Sequence, residues 1–153
     1  MDIIKRIESS SAAQTEREAE GFARGLGGDE TIALFGGMGM GKTAFTRGLA
    51  KGLGIDPSEV SSPTFAIVHE HSGGAKKMCH YDMYRVETWE ELDSTGFFES
   101  VGRCINVVEW SENIENALPV PRWEIHISRS EGEQDGRVLE ISYVTEESEV
   151  DEA

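Results

Sequence analysis

The glycine-rich segment from Gly36 to Thr43 carries the most specific chemical pattern in the chain. Its residues are Gly36, Gly37, Met38, Gly39, Met40, Gly41, Lys42 and Thr43, which fit the pattern G-x-x-x-x-G-K-[ST]. Glycines let backbone N–H groups converge on phosphate oxygens. The segment therefore predicts a phosphate-binding loop, in which Lys42 contacts the β- and γ-phosphates and the Thr43 hydroxyl ligates Mg²⁺.

The segments on both sides of this loop match what such a loop requires. Residues 31–35 form a continuous apolar run, which is typical of a parallel strand buried on both faces. After the loop, Phe45, Leu49 and Leu53 recur every fourth residue and predict a helix. A chance match in a chain with 17 glycines does not explain this order of strand, loop and helix.

Two acidic residues at predicted strand ends are candidates to complete the site. Glu109 follows the apolar run 105–108, and Asp82 lies in a second β-like segment. Open α/β sheets bind ligands at the carboxyl ends of their strands, where one acid can hold Mg²⁺ and another can orient water. The sequence does not decide which of these two roles belongs to Glu109 and which to Asp82. Thr64 is a further candidate for the γ-phosphate or its metal, although a turn before a strand explains it equally well.

Two weaker patterns are set aside. Residues 93–96 match the D-x-x-G of GTPases, but no apolar strand precedes them and the chain has no N-K-x-D motif. His69, His71, Cys79 and His80 lack the spacing of a four-ligand zinc site, so packing or surface positions are expected for them.

Periodicity and capping residues predict the remaining elements. The apolar stripe of residues 19–26 predicts an amphipathic helix that ends at Gly27 and Gly28. Alternation predicts one hairpin of residues 65–68 with 78–84, and a closing antiparallel hairpin between residues 123 and 143. Caps predict two short helices, one at 89–94 behind a capping box of Thr88 and Glu91 and one capped by Ser111.

Composition narrows the class of protein. The 153 residues carry a net charge of -15, which disfavours direct binding of nucleic acid. The two cysteines have no C-x-x-C spacing and suit the reduced thiols of a cytoplasmic protein. No signal peptide and no membrane span is expected. We expect one domain over residues 1–145 and a disordered acidic tail over 146–153.

The order of several segments resembles the TsaE family of bacterial ATPases, which are required to make threonylcarbamoyladenosine on tRNA. The resemblance runs from about residue 15 to 137, through GGMGMGKTAFTRGLA, SSPTFAIVHEH, HYDMYRV, WEELDSTGF and INVVEWSE. It implies an α/β P-loop NTPase fold, with a central, mainly parallel sheet flanked by helices and a C-terminal antiparallel hairpin. It also implies ATP rather than GTP.

The same resemblance assigns expected roles to individual residues. Glu109 would be the second acid of the Mg²⁺ site, beside Thr43, and Asp82 a catalytic or metal-site carboxylate. The other expected positions are Thr64 beside the γ-phosphate, Trp110 lining the site, Thr15 before the first helix and near the base, and Arg137 approaching the nucleotide from the final hairpin.

The activity implied by the resemblance is ATP hydrolysis that is slow in isolation and tied to the partner proteins TsaD and TsaB. The chain would dock beside the transferase TsaD and reset the complex between cycles of modification at tRNA position 37. It would meet tRNA only through that complex. Ordering of residues 62–65 by the γ-phosphate would be the switch. Two alternatives stay open, a small-molecule kinase that uses the same loop and a nucleotide-sensing adaptor that does not hydrolyse.

Overall fold

A seven-stranded sheet forms the centre of the computed structural model, which describes residues 3–36, 41–60, 68–72, 76–132 and 134–145. Its spatial order is β1-β7-β6-β2-β5-β4-β3. The strands are β1 (Ile3–Ser9), β2 (Thr31–Phe35), β3 (Val68–His71), β4 (Met78–Asp82), β5 (Ile105–Glu109), β6 (Arg122–Arg129) and β7 (Arg137–Val144). The four central strands β6, β2, β5 and β4 are parallel, and the outer pairs are antiparallel. The predicted α/β class and the closing hairpin, β6 with β7, are confirmed.

The first predicted hairpin is also present, with altered bounds. β3 pairs with β4 in antiparallel register, but β3 is Val68–His71, and residues 65–67 lie outside the described part of the chain. β4 ends at Asp82 rather than at residue 84. The reason is local, because the Asp82 carboxylate accepts a hydrogen bond from the backbone N–H of Tyr84 at 2.9 Å and thereby forms a turn.

Two long helices cover one face of the sheet. They are α1 (Ala12–Ala23) and α2 (Lys42–Gly52). α1 begins where the Ser11 hydroxyl accepts a hydrogen bond from the N–H of Gln14. The prediction that this helix ends at Gly27 and Gly28 was wrong, because it ends at Ala23. The Glu30 carboxylate accepts hydrogen bonds from the N–H groups of both glycines and holds them in a separate turn.

Small residues let these two helices approach each other closely. A Cβ atom on Gly48 of α2 would lie 2.7 Å from the Cβ of Ala19 in α1, and closer still to a backbone oxygen of α1. Gly52 meets Ala23 in the same way, one turn further along. The interface therefore fixes the position of α2, and with it the position of Lys42 at its start.

The opposite face is covered by shorter elements. They are α3 (Trp89–Ser94), α4 (Phe97–Ser100) and a 3-10 helix (Ser111–Ala117). The predicted capping box of Thr88 and Glu91 is present at α3. Ser111 does not cap its helix, because its hydroxyl donates to the carbonyl of Val108. Among the described residues, no helix is long and apolar enough to cross a membrane.

The register of the parallel strands brings three strand ends together. Ala33 of β2 pairs with Val108 of β5, and Asp82 of β4 pairs with Glu109 of β5. The carboxyl ends of β2, β4 and β5 therefore lie side by side at one edge of the sheet, the edge where open α/β sheets bind ligands.

Candidate functional site

The predicted strand, loop and helix around the glycine-rich segment are present. β2 ends at Phe35 and α2 begins at Lys42. Gly41 precedes the helix with φ 104°, in the left-handed region that favours glycine. Gly37, Met38, Gly39 and Met40 lie outside the described residues, so their contacts stay predictions.

Lys42 is buried at the start of α2, and its ammonium has no hydrogen-bond partner among the described residues. The Nζ atom lies 3.9 Å from the centroid of the Trp110 ring. Burial lowers the pKa of Lys42, and the carboxylates of Glu109, Glu112 and Asp82 oppose that shift. A buried ammonium without hydrogen bonds is unfavourable. An anion bound at this end of α2 would supply the missing acceptors, so the site fits a phosphate group.

Thr43 follows Lys42 in the first turn of α2 and is half-buried. Helix N-termini attract anions, because their free N–H groups and the helix dipole both favour negative charge. Thr43 therefore lies where its hydroxyl can ligate a cation that accompanies a bound phosphate.

The two predicted acids are neighbours across β4 and β5. Asp82 and Glu109 face each other in register, and the backbone N–H of Met83 donates to the carbonyl of Glu109 at 3.0 Å. Burial raises the pKa of Asp82, and the charge of Glu109 raises it further. Glu109 is itself buried. Two adjacent carboxylates near an ammonium that has no hydrogen-bond partner within the described ranges form a site that can hold a divalent cation and orient water.

His80 belongs to this site, although its sequence pattern indicated a packing or surface position. It is fully buried, and its Nε2 atom is hydrogen-bonded to Oε2 of Glu109. This contact fixes the orientation of the Glu109 carboxylate. Strand alternation could have indicated this role, because His80 and Asp82 are two residues apart and so share one face of β4.

Glu112 was also missed by the sequence reasoning. Its Oε2 atom accepts a hydrogen bond from the backbone N–H of Gly36 at 3.0 Å. The contact joins the start of the glycine-rich loop to the 3-10 helix that follows β5. No sequence signal indicated it, because the two residues are 76 positions apart.

Trp110 lies between the site and the protein surface. Its backbone has φ 60° and ψ 41°, and it is the single non-glycine residue with positive φ in the described part of the chain. Such a conformation is unfavourable for a bulky residue. It directs the indole ring against the Lys42 ammonium, while the Tyr84 ring packs on the indole with centroids 4.8 Å apart.

Thr15 and Arg137 are each a neighbour of Ser9, at the end of β1. The sequence predicted Thr15 before the first helix, but it lies inside α1. Its buried hydroxyl is hydrogen-bonded to that of Ser9 at 2.7 Å. Ser9 in turn pairs with Arg137 in the register of β1 and β7. Contacts of either residue with a nucleotide stay predictions. Thr64 lies outside the described residues.

In the described ranges, no group of three or more His, Cys, Asp or Glu side chains is placed to hold a metal ion. For a metal at the carboxyl strand ends, the expected ligands are Thr43, Glu109 and oxygens of a bound ligand, with Asp82 close by. Mg²⁺ suits that arrangement, because it keeps several waters and uses few protein ligands.

Comparisons with known proteins identify the family of this chain. Residues 9–138 match the family model of TsaE, described as a threonylcarbamoyl adenosine biosynthesis protein. The chain is 39% identical to the tRNA threonylcarbamoyladenosine biosynthesis protein TsaE of Aquifex aeolicus over 113 residues, 73% of this chain and 80% of that protein. It is 42% identical to the TsaE protein of Bacillus subtilis over 102 residues, 66% of this chain and 63% of that protein.

A solved structure is similar over nearly the whole chain. The crystal structure of Bacillus subtilis YdiB matches with a TM-score of 0.71 and 28% identity, covering 94% of this chain and 89% of that one. The family model spans most of the residues that form the sheet. It also spans all the described residues of the site at the carboxyl ends of β2, β4 and β5, called the strand-end site below. This chain therefore belongs to the TsaE family of threonylcarbamoyl adenosine biosynthesis proteins.

Proposed function

We propose that this chain binds ATP with Mg²⁺ and hydrolyses it to support the formation of threonylcarbamoyladenosine on tRNA. Hydrolysis is slow in isolation and faster in a complex with TsaD and TsaB. Membership of the TsaE family supports the pathway. The observation that carries the nucleotide part is the buried Lys42 ammonium, which lacks a hydrogen-bond partner in the described part of the chain.

In this proposal the phosphates bind at the N-terminus of α2. Lys42 donates hydrogen bonds to phosphate oxygens, and these supply the acceptors that its ammonium lacks among the described residues. Thr43 and Glu109 hold the cation, and His80 keeps the Glu109 carboxylate in one orientation. Mg²⁺, when bound, neutralises charge that develops on the transferring phosphoryl group.

Asp82 orients the attacking water. Burial raises the pKa of Asp82, which makes its carboxylate a stronger base than an exposed aspartate. Its Oδ1 atom accepts a hydrogen bond from the N–H of Tyr84, which fixes the orientation of the carboxylate. Trp110 covers the Lys42 ammonium and limits its contact with water.

The charge of the chain supports an indirect role toward tRNA. A net charge of -15 opposes binding to a phosphate backbone, so tRNA contact belongs to the partner proteins. ATP binding and hydrolysis in this chain then set the state of the complex, rather than the chemistry on the nucleoside.

Two measurements test the proposal. Calorimetry with a non-hydrolysable ATP analogue and Mg²⁺ should detect binding by the wild type and by Lys51→Ala, a control on the exposed side of α2. Lys42→Ala should lose at least about a hundredfold in affinity, because several charge-assisted hydrogen bonds disappear. If Lys42→Ala bound the ATP analogue as tightly as the wild type, the proposal that Lys42 binds the phosphates would be overturned.

The second measurement separates the proposal from its alternatives. Phosphate release is followed for the complex with TsaD and TsaB, without any other acceptor. The wild type should release phosphate and Glu109→Ala should not. Absence of release until a small-molecule acceptor is added would indicate a kinase. Equal support of tRNA modification by Glu109→Ala and wild type would indicate an adaptor that does not hydrolyse.

A further inference from the structure

Three aromatic side chains are exposed on the side of the molecule that carries α3 and α4. Tyr84, Trp89 and Phe98 are 54%, 64% and 36% exposed. The rings of Trp89 and Phe98 are in contact, with centroids 5.6 Å apart, and Phe98 packs on the buried ring of Phe97 at 5.8 Å. These three residues are called the aromatic surface here. They are held in place by their neighbours but remain open to solvent.

A groove of about 400 Å³ continues this surface. It runs between the start of α3 and the 3-10 helix, with Trp89 and Asn113 among its walls and the buried side chains of Leu92 and Ile114 lining its apolar part. The side-chain amide of Asn113 donates to the carbonyl of Tyr84, which joins the groove to the aromatic surface. Exposed aromatic rings beside a groove that combines polar walls with a smaller apolar part are typical of a protein–protein contact.

Carboxylates form the rim of this region. Between residues 84 and 99 there are five acidic residues and one basic residue, Arg85, and residues 111–117 add two acids and no base. Glu91 is engaged in the capping box, whereas Glu87, Glu90 and Glu115 are exposed. The surface therefore presents apolar contact area inside a negatively charged border.

The same region is connected to the nucleotide site by direct contacts. Tyr84 packs on Trp110, which packs on the Lys42 ammonium. Glu112, at one wall of the groove, accepts the hydrogen bond from Gly36. A molecule bound on the aromatic surface would therefore touch residues that contact both ends of the phosphate loop.

We infer that the aromatic surface and its groove are the docking site for a basic face of a partner protein. Under the proposed function, on which this inference rests, that partner is the complex of TsaD and TsaB. The acidic rim favours arginine and lysine side chains, and arginine also stacks on exposed aromatic rings. A second copy of this chain would bring two acidic rims together, and RNA would be repelled by the same charges.

The test measures the affinity of the purified TsaD–TsaB complex for this chain in the presence of a non-hydrolysable ATP analogue and Mg²⁺. The double variant Trp89→Ala, Phe98→Ala should bind at least about tenfold more weakly, because aromatic anchors dominate protein interfaces. Its affinity for the ATP analogue should be unchanged. Tyr143→Ala is the matched control, because Tyr143 is 39% exposed and packs on a neighbouring ring at 4.6 Å, but lies on β7 in the other half of the sheet.

A second variant tests the charge. Glu87→Lys, Glu90→Lys keeps every aromatic ring and should also weaken binding, with a loss that shrinks as salt is added. This variant decides the question if the aromatic variant proves less stable than the wild type in thermal unfolding.

Each outcome has one meaning. Binding of TsaD–TsaB that is equal for wild type and both variants overturns the docking site and leaves the proposed function standing. Failure of the wild type to bind TsaD–TsaB overturns the proposed partner and the docking site together, while ATP binding is judged by calorimetry. Self-association or tRNA binding that depends on Trp89 would overturn the inference in favour of a different occupant.

Discussion

The α1–α2 interface and the strand-end site differ in how favourable their buried contacts are. In the interface, Gly48 and Ala19 meet without space for another carbon atom, and Ala19 and Ala23 are fully buried there. At the strand ends, Lys42 Nζ and His80 Nδ1 are buried without hydrogen-bond partners among the described residues. Trp110 also has an unfavourable backbone conformation.

The difference shows where this chain places its energetic costs. Packing in the interface stabilises the fold without any ligand. The buried charges and the backbone strain of the site destabilise the free protein and, under the proposed function, are offset when a nucleotide binds. Substitutions in the interface should therefore destabilise the protein, and some substitutions in the site should stabilise it while abolishing binding. The four predictions below test this contrast in order of decreasing change in the free energy of unfolding.

The largest change is expected at the interface. Gly48→Ala should lower the free energy of unfolding by about 3 kcal/mol, because its new methyl group meets the backbone of α1 rather than a flexible side chain. Gly21→Ala is the control, since a Cβ there has nothing within 4 Å and alanine favours the helix. Denaturant unfolding measures both. Equal stability of the two variants would show that the interface is loose.

The second prediction concerns the buried pair of His80 and Glu109. His80→Leu should lower the free energy of unfolding by about 2 kcal/mol, because it leaves a buried carboxylate without its hydrogen bond. His80→Gln retains an N–H donor and should keep more of the stability. The Mg²⁺ concentration for half-maximal phosphate release should rise in the leucine variant and recover in the glutamine variant. A purely structural histidine would leave that concentration unchanged.

The third prediction is a gain of stability. Lys42→Met should raise the free energy of unfolding of the nucleotide-free protein at pH 7 by about 1 kcal/mol, because it removes a buried charge that has no hydrogen-bond partner in the part of the chain that the structure describes. Burial lowers the pKa of Lys42 below the usual 10.5, so wild-type stability should rise as pH increases toward that value, and the variant should lose this rise. Lys51→Met, on the exposed side of α2, should show neither effect.

Thermal unfolding with and without ATP and Mg²⁺ completes this test. The wild type should be stabilised by the nucleotide through mass action, and Lys42→Met should not be. If Lys42→Met were less stable than the wild type without nucleotide, the ammonium would have favourable contacts in the free protein and the contrast would fail.

Local patterns predicted the framework of the site. The apolar run before the glycines, the helical repeat after them and the strand-end positions of Asp82 and Glu109 all depend on neighbours in sequence. The contacts of His80 with Glu109 and of Glu112 with Gly36 join residues 29 and 76 positions apart. Such contacts depend on strand register and helix packing, so no local pattern could supply them.

The same limit explains the errors at element ends. The end of α1 was assigned to Gly27 and Gly28 on propensity alone, but the Glu30 carboxylate takes their N–H groups into a turn. Ser111 had the composition of a helix cap, but its hydroxyl is occupied by the carbonyl of Val108. In both places a specific side-chain contact outweighed a general preference.

The smallest change is expected for Asp82→Asn, and it should depend on pH. Burial and the charge of Glu109 raise the pKa of Asp82, so the folded protein holds this proton more tightly than the unfolded chain, whose aspartate has a pKa near 3.8. The protonated Asp82 side chain therefore makes its full contribution to wild-type stability below the pKa of the unfolded chain. This contribution is lost as pH rises through the raised pKa of the folded protein. Asparagine does not ionise and keeps the acceptor for the N–H of Tyr84.

The stability of Asp82→Asn relative to wild type should therefore be lowest in acid and should rise to a plateau near neutral pH. Urea unfolding at a series of pH values measures this difference. At pH 7 the variant should be the more stable protein without ligand and the slower one in phosphate release. A difference that does not change with pH would show that the surroundings of Asp82 do not disfavour its ionised form. The site would then lack one of the unfavourable interactions that distinguish it from the α1–α2 interface.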